Sequence, residues 1–224
     1  MPDTSRIALL VGASGLVGSH LLPLLLDSEL YSKIIIFVRN SLGITHPKLQ
    51  EMQIDFDNIA SINVNLAVTD VFCTLGTTRG KAKSAANFRK VDYTYVVELA
   101  KWAKSHQGQR FVVISAMGAN TASKTLYMGT KGQMEETIKT LGLPFLGIMH
   151  PSLLVGNRKE RRIGEWIAGH ITLKLVGYFL PLKYRAISAE KVAIAMLEVA
   201  KANSQGFQLV ESNQIHKLAD NQKK

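Results

Sequence analysis

RIALLVGASGLVGS, Arg6 to Ser19, is an apolar run that stops at Gly12 and resumes after a glycine at every third position. Ile7 to Val11 reads as a short buried strand, and Gly12, Gly15 and Gly18 give a G-x-x-G-x-x-G spacing ahead of a Leu-rich helical run. A dinucleotide asks for that order of events: a tight turn at Gly12, close backbone approach to a pyrophosphate at Gly15, and close strand-helix packing at Gly18. The N–H groups and positive dipole at the helix start then face the phosphates. Ordinary strand-turn-helix packing uses the same spacing, so the rest of the chain has to decide.

The 224 residues, 46% of them hydrophobic, are enough for one substantial core, and one domain over 1–224 is expected. Cys73 is the only cysteine, so no intramolecular disulfide can form; a reducing, cytoplasmic setting is the simple expectation, with Cys73 as a small buried apolar residue. Ile7 to Leu26 carries no Asp, Glu, Lys or Arg, yet three glycines, Ser14, Ser19, His20 and Pro23 make it a poor membrane span. Asp3 stands where a signal sequence would want positive charge. The net charge of +10 is uneven, with four Lys/Arg against six Asp/Glu in 1–60 and twelve against six in 151–224. Such charge favours anionic partners, including cofactor phosphates and lipid surfaces, but no nucleic-acid module accompanies it and no metal site is expected.

Strands and helices alternate along 6–150, which implies a parallel sheet covered on both faces: an α/β, Rossmann-like, doubly wound fold. Leu16 to Leu26 reads as a helix that Pro23 should distort or end early. Ser32 to Arg39 reads as the second strand. An acid at its end would bind the adenine ribose, whereas Arg39 can pair with a 2′-phosphate and argues for NADP(H) over NAD. Further strands are expected at Met52–Asp55, Ala67–Leu75, Arg110–Ser115, Pro144–Met149 and Phe207–Val210, and helices at Lys83–Ser105, Thr125–Leu141 and Ala189–Ala202. Asp55 and Phe56 either approach the adenine or merely turn the chain. Leu75 and Gly76, past the fourth strand, are candidates for backbone contact with the cofactor.

Tyr127 and Lys131 form Y-x-x-x-K on the helix expected after the fifth strand, a spacing that puts both on one face. A free tyrosine titrates near ~10, and a nearby ammonium favours the phenolate, so Lys131 can bring Tyr127 toward proton exchange at neutral pH. Ser115 ends the preceding strand, where it can hold and polarise a carbonyl or alcohol oxygen. Tyr127 would then pass a proton to that oxygen as hydride arrives, or remove it in reverse.

GASGLVG (12–18), VISAMGA (113–119) and YMGTK (127–131) resemble the short-chain dehydrogenase/reductase superfamily in its extended or atypical division. CTLGTTRGKA (73–82), FRKVDYTYV (88–96), HPSLLVGNRKERRIGEW (150–166) and QIHKL (214–218) narrow the resemblance to the oxidoreductase branch named for the HIV Tat-interactive protein. The resemblance implies a Rossmann fold that binds NADPH. It puts Ser14, Gly15, Leu16 and Val17 along the pyrophosphate and Arg39 and Asn40 at the adenosine phosphate. Leu75 and Gly76 fall at the middle of the cofactor, and Tyr127, Lys131 and Leu154 around the nicotinamide ribose and ring. Three positions depart from the pattern. Asp92 stands where many short-chain reductases offer a relay asparagine, His150 where relatives often have arginine, and Ser152 where glycine is frequent. His150 reads either as a packed, hydrogen-bonded histidine or as a proton donor.

Beyond residue 151 the chain is expected to build a small helical substrate or lid region. Ile163 to Leu182 has helical apolar spacing that suits a lid, a homodimer face, a helix lying on a lipid surface, or burial against the sheet. Residues 219–224 read as a polar, frayed tail. The expected function is an NADPH-dependent oxidoreductase acting on a carbonyl or alcohol, and the alternative is an NADPH-binding regulatory or scaffold protein without turnover. Sugar-nucleotide epimerisation is disfavoured by the short region 151–224.

Overall fold

The computed structural model describes residues 6–155, 181–202 and 204–222. Strands β1 (Arg6–Val11), β2 (Tyr31–Val38), β3 (Leu49–Gln53), β4 (Asp70–Cys73), β5 (Arg110–Ile114) and β6 (Phe145–His150) are followed by a two-residue pair, β7 (Leu154–Val155) and β8 (Ile187–Ser188), and by β9 (Gly206–Glu211). Seven of them form one parallel sheet in the order β3-β2-β1-β4-β5-β6-β9. Chain direction across the sheet reverses between β1 and β4, which opens a crevice at the carboxyl ends of those strands.

Alternation along each strand divides the core in two. Ala8, Leu10, Ile34, Ile36 and Phe72 pack on one face against α1 (Gly18–Asp27) and α6 (Ala189–Lys201). Leu9, Val11, Ile35, Phe37 and Val71 pack on the other with α4 (Tyr95–Ser105) and α5 (Leu126–Lys139). At the far end of the sheet from the crevice, buried Asp70 on β4 ties β1, β2 and β5 to its own strand. It receives the Tyr31 hydroxyl at 2.8 Å and pairs with Arg6 at 3.3 Å and Arg110 at 3.2 Å. Burial, then the Asp70 charge, pushes the Tyr31 phenol far above the ordinary tyrosine range.

Several elements differ from the expectations. Helix α1 runs through Pro23 to Asp27. Pro23 and Ser19 both face solvent, so water can satisfy the Ser19 carbonyl that loses its helical partner. Strand β3 begins earlier than Met52 and is only half-buried, an edge position where no continuous apolar run is required. The stretch expected as one helix from Lys83 is broken. Lys83 adopts a left-handed conformation (φ 63°) that ends α2 (Arg79–Ala82), Ser84 caps α3 (Ala85–Arg89), and a π-helical segment, Lys90–Thr94, leads into α4. The tail is ordered as α7 (Ser212–Asn221), started by a capping box between Glu211 and Gln214, with Ala219 buried. Of the apolar repeat from Ile163 to Leu182, residues 163–180 lie outside the described residues, as do the basic residues Arg158, Lys159, Arg161 and Arg162.

Candidate active site

The turn after β1 is built by exclusion. Gly12 has φ +93°, and a Cβ there would come within 2.6 Å of Thr74 Oγ1. A Cβ on Gly18 would stand 2.1 Å from the Gly12 carbonyl oxygen, so α1 can start this close to β1 only with glycine at that position. Helix α1 begins with no side-chain cap and no acidic residue in its first turn, which leaves its amino end open to an anion.

From this turn a crevice of ≈ 1090 Å³ runs along the carboxyl ends of the strands. Ser14, Gly15, Leu16, Val17, Leu75, Gly76, Ser115, Tyr127, Lys131 and Leu154, all singled out from sequence, line it together. Gly12, Gly18, Arg39 and Asn40 are not on its lining. The two glycines act by shaping the turn. Arg39 and Asn40 follow directly on β2 and are exposed, one strand over from the turn that β1 feeds. Asp55 caps the short 3-10 turn Phe56–Ser61 by accepting from the Asp57 N–H at 3.0 Å, and Phe56 is buried; both turn the chain.

Helix α5 places Tyr127, Lys131 and Glu135 on one face, four residues apart. It packs closely on the loop before it, for a Cβ on Gly132 would reach within 2.3 Å of the Asn120 carbonyl carbon. The Tyr127 ring leans on Phe88 (5.9 Å between centroids) and remains 37% exposed, so its hydroxyl is reachable from the crevice.

Lys131 is 3% exposed and its ammonium lies 2.9 Å from Asp92 Oδ1 and 3.4 Å from the Ile114 carbonyl oxygen. Asp92, itself fully buried, also accepts the Thr77 N–H at 2.8 Å. Burial pulls the lysine pKa down, but the Asp92 carboxylate, with Tyr127, outweighs it and the net direction is upward. The π-helical segment carries Asp92, and such bulges often mark functional positions. Cys73 is inert by comparison, since burial pushes its thiol up to about 12.

Glu135 is the site residue that sequence reasoning missed. It is buried, receives the Ser115 hydroxyl, and pairs with His150 Nε2 at 2.7 Å. Its position eight residues after Tyr127 on the same helix was the available signal. Ser115 therefore directs its hydrogen into the protein and presents lone pairs to the crevice, rather than a donor that could polarise a carbonyl. Ser152 donates to the Arg185 carbonyl, tying the strand pair β7–β8 to the loop after β6. Among the described residues no cluster of His, Cys, Asp and Glu could hold a metal ion, and no helix is long and apolar enough to cross a membrane.

Residues 12–203 match a family described as NAD(P)H-binding. The chain is 34% identical to the protein FMP52, mitochondrial, of Candida albicans, over 88% of this chain and 89% of the relative. It is 33% identical to the protein HTATIP2 of Rattus norvegicus, over 73% of this chain and 69% of the relative. A solved structure of MoeE5 in complex with UDP-glucose and NAD shares the fold, with a TM-score of 0.69 and 17% identity over 96% of this chain and 81% of the other. These relatives correct the expectation of a cytoplasmic location, because FMP52 relatives from several yeasts are named as mitochondrial. One unpaired cysteine could not have told the two apart, since it excludes only the need for an oxidising compartment.

Proposed function

The chain belongs to the NAD(P)H-binding family, on the branch that holds HTATIP2 and FMP52, and from that premise we propose an NADPH-dependent oxidoreductase that interconverts a carbonyl and an alcohol. The observation that carries this reading is the placement of Tyr127 and Lys131, one turn apart on α5 and open to the crevice that the glycine turn begins. The residues present fit a dinucleotide. The uncapped start of α1 and the backbone of Ser14 to Val17 would hold the pyrophosphate, Leu75 and Gly76 the middle, and Leu154 the nicotinamide side. Arg39 and Asn40, exposed beyond β2, would pair with the 2′-phosphate of NADPH.

When bound, the reduced nicotinamide supplies a hydride to the carbonyl carbon. Tyr127 gives its phenolic proton to the oxygen as negative charge develops there, so that C=O becomes CH–OH; in the oxidative direction the same oxygen takes the proton back. Lys131 would hold the ribose hydroxyls and keeps positive charge beside Tyr127, while Asp92 holds Lys131. The FMP52 names bring a mitochondrial location into the same reading.

Calorimetric titration with NADPH and NADH, followed by a carbonyl panel read through loss of reduced-cofactor absorbance, tests it. Tyr127→Phe should slow hydride transfer by about 100-fold or more and leave NADPH affinity within a few-fold of wild type. A second reading, a cofactor-dependent regulatory protein, is favoured by one observation: Asp92 already neutralises the lysine that would serve catalysis. NADPH binding with silence across the panel, unchanged in Tyr127→Phe, would move the assignment there.

A further inference from the structure

We propose that the half of the crevice beyond β5 and β6 takes an uncharged, largely apolar carbonyl compound or its alcohol, with its oxygen at Tyr127. The proposal rests on the oxidoreductase reading and adds the substrate class. Among the described residues five side chains with polar groups line this half: Ser115, Tyr127, Lys131, Ser152 and Tyr184. Three are engaged from behind. The Ser115 hydrogen goes to Glu135, which His150 holds in turn; the Ser152 hydrogen goes to the Arg185 carbonyl; and the Lys131 ammonium sits against Asp92 and the Ile114 carbonyl. Tyr127 and Tyr184 each carry a hydroxyl with no hydrogen-bond partner among the described residues, and only that of Tyr127 stands beside Lys131 on α5.

The rest of this wall is apolar, with Met117, Met128, Leu153 and Leu154, and the ring of Tyr184 adds to it. Leu153 and Tyr184 are 48% and 57% exposed, which is unusual for large apolar side chains and leaves them free to cover a ligand. The two methionines are flexible enough to fit ligands of varied outline. The positive charge of Lys131 is already paired with Asp92 at 2.9 Å, so among the described residues no unpaired cation at this end draws in an anion. Lys81, the other lysine on the lining, stands on α2 beyond β4. A carboxylate or a phosphate would lose water here and find no unpaired cation among the described residues to replace it.

The test compares two ligands of similar shape, 4-isopropylbenzyl alcohol and 4-(hydroxymethyl)benzoate, binding to the NADP+-loaded protein by ligand-observed NMR, with turnover followed in the same samples. 4-Isopropylbenzyl alcohol should bind at least about tenfold more tightly, a difference of about 1.4 kcal/mol. Leu153→Lys, a change at an exposed position, should narrow the preference to under about threefold by giving the carboxylate a partner. Equal or tighter binding of the benzoate to wild type overturns the proposal, as does absence of binding by both. Discrimination without turnover supports the proposed pocket chemistry and sinks the oxidoreductase reading, so the two fail separately.

Discussion

Lys131 keeps its charge in a place where burial alone would strip it. The Asp92 carboxylate is what reverses the balance, with Tyr127 and Cys73 adding to it, and the lysine pKa ends above its ordinary value. A raised lysine pKa contributes stability below the unfolded value near ~10.4, lost only as pH rises through the folded value. Wild-type stability should thus be insensitive to this group between about pH 7 and pH 9. In Asp92→Asn the main opposing charge is gone and burial dominates, so the folded chain binds the proton more weakly than the unfolded one. The sign reverses: the variant should lose about 3–5 kcal/mol near pH 7, the cost of breaking a buried pair, and recover part of it by about pH 9. Urea unfolding at the two pH values checks this, and a loss independent of pH would mean that Asp92 acts otherwise than as a counter-charge. Tyr127, Lys131 and Ser115 were legible because their residue types and spacing announce a chemistry. Glu135 was not, since a glutamate on a helix usually faces water and only the fold turns this one inward under Ser115.

At the scale of elements, continuous apolar runs identified the buried parallel strands, and their ends fell within a few residues of the expected ones. Misreadings came where packing overrode a local signal. Pro23 announces a break, yet α1 continues, because Leu21, Leu22, Leu25 and Leu26 bury one face against the sheet and α6 while the disrupted carbonyl faces water. The proline is then a residual strain, and Pro23→Ala should stabilise the protein by about 2 kcal/mol: about 3 kcal/mol of interior helix penalty less about 0.4–1 kcal/mol for the freer unfolded chain. An unchanged urea midpoint would show that α1 has already absorbed the proline without strain. The break between Lys83 and Tyr95 escaped for the opposite reason. Its apolar spacing is helical throughout, and only the burial of Asp92 against Lys131 and the Thr77 N–H requires the extra residue in the π-helical segment. Small strands β7 and β8 carry too few residues for any periodicity, and they exist through pairing across the chain.

Across the whole molecule the crevice joins the two halves of the sheet, with the glycine turn on one side and α5 on the other, so a bound dinucleotide would bridge both. A ligand that binds only the folded chain stabilises it by mass action, about 2.7 kcal/mol at 100 times its dissociation constant. For a chain of this size each kcal/mol raises the melting temperature by about 2–4 °C. NADPH at that excess should therefore raise it by about 5–10 °C in one transition. On the proposed reading Arg39 pairs with the 2′-phosphate, because it follows β2 directly and stands exposed one strand over from the turn that β1 feeds. In Arg39→Asp the added carboxylate repels that phosphate and can accept hydrogen bonds from a free ribose hydroxyl instead. The NADPH-induced rise should shrink to about 3 °C or less at the same concentration, while the NADH-induced rise stays or grows. Equal loss for both cofactors would place the 2′-phosphate elsewhere. No rise with either in the wild type would detach the glycine turn from dinucleotide binding and leave Gly12 and Gly18 as packing residues alone.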